Sequence, residues 1–174
     1  DDPGPNKQKA AAHAARELSY NRSRVLRHRN RPEAAIELLD ALLGEKPDDL
    51  RFLLDRFELA LQARDLPRAQ ELLSRLRALE HEDVPDLRLH EARIKLRTHE
   101  VGAALELLQA VRASHRQASP ALLGKVATAY LRLFRWQDAY STLKEALALD
   151  PEQPSLLAHL AQAAYHLGYY EEAA

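Results

Sequence analysis

The chain has 174 residues with 25 Lys and Arg against 26 Asp and Glu, 46% hydrophobic residues, five glycines, nine prolines and no cysteine. That length suits one ordinary domain or several small repeats, and the missing cysteines exclude disulfide frameworks, thiolate metal sites and cysteine nucleophiles while leaving the compartment open. No apolar run approaches the roughly 20 residues of a membrane span, and the opening Asp1-Asp2-Pro3-Gly4-Pro5 lacks the charged and apolar blocks of a signal peptide. Without an initial Met, and stopping at Glu171-Glu172-Ala173-Ala174 inside an amphipathic stretch, the sequence reads as a piece of something longer.

In chain order, residues 1–15 are expected to form a partly helical N-terminal extension. From there on Val, Ile and Thr are sparse, and apolar residues recur three or four apart, as in Leu53, Phe57 and Ala60 or Val126, Ala129, Tyr130 and Leu133. That spacing predicts helix throughout, and no alternating run bounded by turn residues supports a strand. Pro32, Pro67, Pro85, Pro120 and Pro154 each open an apolar-periodic stretch, where a missing N–H costs a helix nothing.

Five segments repeat one pattern: Asn30-Arg31-Pro32-Glu33-Ala34-Ala35, Asp65-Leu66-Pro67-Arg68-Ala69, Glu100-Val101-Gly102-Ala103-Ala104, Arg135-Trp136-Gln137-Asp138-Ala139 and Tyr169-Tyr170-Glu171-Glu172-Ala173. Their final alanines are separated by 34, 35, 35 and 34 residues, a period that implies stacked two-helix units. In the fourth segment Leu123, Val126, Ala127, Tyr130, Trp136, Ala139, Leu143, Ala146 and Asp150-Pro151 fall at the signature places of the tetratricopeptide repeat (TPR) family, which the chain resembles from about residue 16 onward. The fifth begins equally well with Leu157, Leu160, Ala161, Tyr165, Gly168 and Tyr170, whereas Arg88, Glu91 and Lys95 of the third stand where the family usually has apolar residues. The resemblance implies an all-α, right-handed superhelical solenoid of about five repeats: 16–49, 50–84, 85–119, 120–153 and a truncated 154–174. Small residues such as Ala92, Ala127 and Ala161 would face Ala104, Ala139 and Ala173 and let paired helices approach to roughly 8 to 10 Å.

Chemical motifs are absent. His81-Glu82 and His90-Glu91 lack the second histidine of a zinc-protease helix, and His159 and His166, two turns apart, lack a third ligand. No nucleophile elbow or phosphate-cradling glycine loop occurs, so no enzyme activity, metal or cofactor is expected. Charge is unevenly spread: from Lys7 to Arg31 eight basic residues meet only Glu17, while residues 32–174 carry 17 basic against 23 acidic residues. Such asymmetry steers acidic partners. Nucleic acid is disfavoured by a net charge near zero and few aromatics.

The resemblance further implies a concave groove lined by first helices. Projected there are Leu54, Leu61, Leu89, Leu96, Leu131 and Tyr165, bordered by Arg24, Arg27, Glu58, Arg93, Arg97, Thr128 and Arg132. The Lys and Asn set with which some family members grip chaperone C-termini is missing. The expected function is therefore a non-catalytic protein-interaction scaffold accepting a peptide or helix, with acidic groups and apolar anchors. The alternatives are an accessory domain of a larger enzyme and a self-assembly module. A competing reading of the leucines is that curvature or a flanking helix buries them. The cut-off fifth repeat is expected to leave an apolar end around Leu156, Leu157, Leu160, Tyr165 and Leu167 through which copies associate.

Overall fold

Most helix starts follow from proline and from short capping side chains. In the computed structural model, which describes residues 5–79, 87–113 and 119–173, two compact units divide the chain at residues 84 and 85. The first contains α1 (Pro5–His28), α2 (Pro32–Glu45), α3 (Leu50–Gln62) and α4 (Leu66–Ala78). Pro32 opens α2, and the Asp49 and Asp65 carboxylates accept from the backbone N–H groups of Arg51 and Arg68 to cap α3 and α4. The second unit holds α5 (Leu87–Arg97), α6 (Val101–Ala113), α7 (Pro120–Arg132), α8 (Trp136–Leu149), α9 (Pro154–Leu167) and the single turn α10 (Tyr170–Ala173). Ser119 caps α7 through the Leu122 N–H, and Pro120 and Pro154 occupy first-turn positions as expected. Pro85 lies outside the described residues. No strand occurs among the described residues.

The partly helical extension expected over residues 1–15 and the start of the first repeat share one helix, since α1 runs unbroken from Pro5 to His28. Nothing between Asn6 and Asn30 is Pro or Gly, so no backbone signal separates the extension from the first repeat.

Each pair of helices is joined by the same turn. Asn30, Arg64, His99, Phe134 and Gly168 all have positive φ, from 56° to 81°. The next residue in each case donates its N–H back five residues, Arg31 to Leu26, Asp65 to Ala60, Glu100 to Lys95, Arg135 to Tyr130 and Tyr169 to Ala164. This is the Schellman closure of a helix C-terminus, for which glycine is the natural residue. Only the fifth turn uses glycine.

Alanines make the close crossings: Ala35 and Ala69 in the first unit, and Ala92, Ala104, Ala127 and Ala139 in the second, are fully buried. Around them pack Leu39, Leu53, Phe57, Leu72 and Leu76 in the first unit, and Leu108, Val126, Tyr130 and Leu143 in the second. Polar ties cross between helices as well. The buried Arg56 of α3 donates to both carboxylate oxygens of Asp40 on α2 at 2.9 and 3.3 Å, and Arg112 of α6 donates to Glu145 of α8 at 2.6 Å. In the third repeat, polar residues replace the family's apolar ones without losing the helix. Arg88 is exposed, and the Lys95 ammonium reaches Glu100 at the mouth of α6 at 2.7 Å. That contact, with the Thr98 hydroxyl, holds the Glu100 carboxyl below its ordinary range.

Candidate functional site

The first helices, α1 and α3 in one unit and α5, α7 and α9 in the other, carry the residues projected onto a groove. In the first unit α1 and α3 are joined by an ionic and aromatic cluster. The Tyr20 ring lies 5.2 Å from that of Phe52, with the Arg51 guanidinium 5.2 Å and that of Arg24 6.0 Å from its centroid. Arg51 also donates to Glu17 at 2.9 Å, which lowers the Glu17 carboxyl and raises Arg51. Arg27 is held by Asp55 at 2.9 Å, so its charge is already answered inside the unit. Burial, together with a hydrogen bond to Asp55, pushes the Tyr20 hydroxyl up to about 12. Leu54 and Glu58 are half-buried and Arg24 is exposed.

Three projected anchors belong to the core instead of an open groove floor. Leu61, Leu89 and Leu131 are buried, and Leu89 and Leu131 are part of one apolar cluster with Leu123, Val126 and Tyr130. The physical reason is close helix packing: alanines at the crossings bring neighbouring axes together, and leucines beside them lose their water. In the second unit Leu96 is half-buried against that cluster, and Tyr165 is exposed. Arg93 is half-buried, and Arg97 and Arg132 are exposed. Thr128 turns its hydroxyl back to the Gly124 carbonyl at 2.8 Å.

The accessible remainder is basic. Helices α5, α7 and α9 carry Arg88, Arg93, Lys95, Arg97, Lys125 and Arg132 against Glu91 alone. Helices α6, α8 and α10 carry Arg112 and Lys144 against Glu106, Asp138, Glu145, Glu171 and Glu172. Positive charge therefore concentrates on the first helices of this unit and negative charge on the second helices.

An aromatic row escaped the sequence reading. Phe134 meets Trp136 edge-on at 5.6 Å, Trp136 stacks on His166 at 3.9 Å and 10°, and Tyr165 meets both His166 and Tyr170 edge-on at 5.7 and 5.8 Å. The available signal was the accumulation of rings at the turns of the last two repeats. His166 thus spends one face on an indole, and among the described residues no group of three or more His, Asp or Glu gathers as a metal site would require. Among the described residues no helix is long and apolar enough to cross a membrane.

Comparison with known proteins bears on this arrangement. Two tetratricopeptide repeat profiles match, over residues 26–89 and 126–174. A thermophilic TPR protein of Thermus thermophilus superposes with a TM-score of 0.73 at 21% identity, over 91% of this chain and 86% of its own. A tetratricopeptide repeat protein of Parabacteroides merdae gives 0.75 at 16% identity, over 90% of this chain and 60% of its own. No curated protein sequence matches. At such identities the structures speak for the fold, an all-α helical-repeat solenoid. With the 34- and 35-residue period, the paired helices and both profile matches agreeing, the chain belongs to the tetratricopeptide repeat family.

Proposed function

We propose that this chain is a non-catalytic protein-interaction scaffold whose first-helix layer receives an acidic segment of a partner protein. The observation that carries this reading is the separation of charge in the second unit, where α5 and α7 carry six basic residues against a single glutamate, Lys95 among them being tied to Glu100, and α9 carries no Lys, Arg, Asp or Glu. Exposed Arg97 and Arg132 supply attraction at a distance, while half-buried Leu96 and exposed Tyr165 offer apolar contact. In the first unit Arg24 and Leu54 are the corresponding accessible pair, since Arg27 is committed to Asp55 and Leu61 to the core.

The test uses a fluorescein-labelled peptide in which Asp and Glu alternate with Leu and Phe, and its counterpart with Asn and Gln in place of the acids. Anisotropy should report salt-sensitive binding of the acidic peptide, weakened about tenfold by Arg97→Glu with Arg132→Glu. Equal binding of both peptides, or an unaffected double variant, refutes the acidic-segment reading. Tighter binding of a single-stranded oligonucleotide than of the peptide would instead make the basic layer a nucleic-acid surface.

A further inference from the structure

Five turns close the first helices in the same way, and the residue at the crest of each, Asn30, Arg64, His99, Phe134 or Gly168, is exposed. Four of these are glycine or polar, as a solvent-facing left-handed position favours. Phe134 is neither. At φ 57° a bulky residue is an outlier, and its ring stands 74% exposed. The turns at His99 before it and Gly168 after it belong to the same unit, so neither end of the chain accounts for its exposure.

Phe134 has an aromatic neighbour. It meets Trp136, at the start of α8, edge-on at 5.6 Å, and Trp136 is half-buried with His166 stacked on one face at 3.9 Å. The two rings form one apolar step on the turn edge, with Phe134 as its open side. Charge lies beside it. Arg132 precedes Phe134 by two residues and is exposed, and the exposed Arg97 occupies the same place on α5, 35 residues earlier. The acids next to these turns are already answered, Glu100 by Lys95 and Asp138 by Arg135, each at 2.7 Å. Arg97 and Arg132 form no ion pair among the described residues.

Charge and exposed ring together select the occupant. We propose, resting on the acidic-segment reading, that the turn edge at Phe134 and Trp136 takes an aromatic or aliphatic side chain of the partner's segment, while Arg97 and Arg132 hold the acidic residues that flank it. The apolar ring then supplies the lifetime of the contact and the arginines its capture. A single-stranded nucleic acid would also use rings and arginines, but its unbroken row of phosphates along the turn edge would pass Glu100 and Asp138 as well. A peptide can set its acids beside the arginines and an apolar residue at the turn.

Trp136 is the chain's only tryptophan and neighbours Phe134, so its emission reports occupancy of this edge. Two Trp-free peptides serve as probes, unlabelled for emission and fluorescein-labelled for anisotropy: one alternates Asp and Glu with Leu and Phe, the other sets the same acids among Ser. The first should shift Trp136 emission saturably and bind about tenfold tighter than the second. Phe134→Asn keeps a residue that accepts the left-handed turn, as Asn30 does, so circular dichroism should be unchanged while the tenfold advantage disappears. Phe134→Gly is the second variant, to be used should the first lose helix. Emission that stays constant while anisotropy reports binding, or equal affinity of the parent and its Phe134 variants, overturns the anchor and leaves the acidic-segment reading standing. If neither peptide binds, both readings fall. A larger emission change with oligodeoxythymidine than with the first peptide overturns the proposal in favour of nucleic acid.

Discussion

Replacing Arg64 by glycine should stabilise the protein although it removes a side chain. Arg64 closes the turn between α3 and α4 at φ 60°, a conformation in which an L-residue costs roughly 1 to 2 kcal/mol through crowding of Cβ against its own backbone. Glycine removes that cost but returns about 0.5 to 1 kcal/mol through the freedom it adds to the unfolded chain. Because Arg64 is exposed, little burial is lost. The net expectation is a gain of about 0.5 to 1 kcal/mol, or about 1 to 4 °C in a chain of this size. His99→Gly, at φ 63° in the next turn, should behave alike, and Gly168→Ala, at φ 81°, should lose about 1 kcal/mol. Urea titration followed by circular dichroism measures all three as shifts in midpoint. Repeat arrays can unfold in stages, so the relevant midpoint is that of the unit carrying the change. A lowered midpoint for Arg64→Gly would refute the left-handed closure, and with it the claim that one turn geometry recurs in every repeat.

Ala139→Leu should cost roughly 1 to 3 kcal/mol, because Ala139 is fully buried in the second unit's core, and an unchanged urea midpoint would place it on the surface. Leu61→Asp should cost at least about 3 kcal/mol, since it removes a buried leucine and leaves a carboxylate in its place. Leu96→Asp, at a half-buried site, should cost clearly less, and equal midpoints for the two would erase the distinction between core and accessible leucines. Tyr20 ties stability to alkaline pH: its hydroxyl rises from 10 to about 12 on folding, so the folded chain keeps a proton that the unfolded chain releases. That contribution is complete below pH 10 and is lost as pH climbs through about 12. Tyr20→Phe should flatten this part of the stability profile, and an unchanged slope would count against the burial that raises the Tyr20 hydroxyl.

What could be read from the sequence is what neighbouring residues decide. The helical class follows from the spacing of apolar residues, the helix starts at Pro32, Pro120 and Pro154 follow from a ring that lacks an N–H, and the repeat follows from alanines recurring every 34 or 35 residues. Tertiary structure decided the rest. Leu61 and Leu96 look alike along the chain, yet one is buried and the other half-buried, because burial depends on which helix lies across each of them. Arg27 reads as a free basic residue until α3 brings Asp55 to it from 28 positions away. Arg64, His99 and Phe134 give no local sign that they occupy a left-handed turn, since that conformation is imposed by the two helices they join. Local signals specify which segments coil, but the exposure and charge of a side chain belong to the space between segments, and that space exists only once the helices have packed.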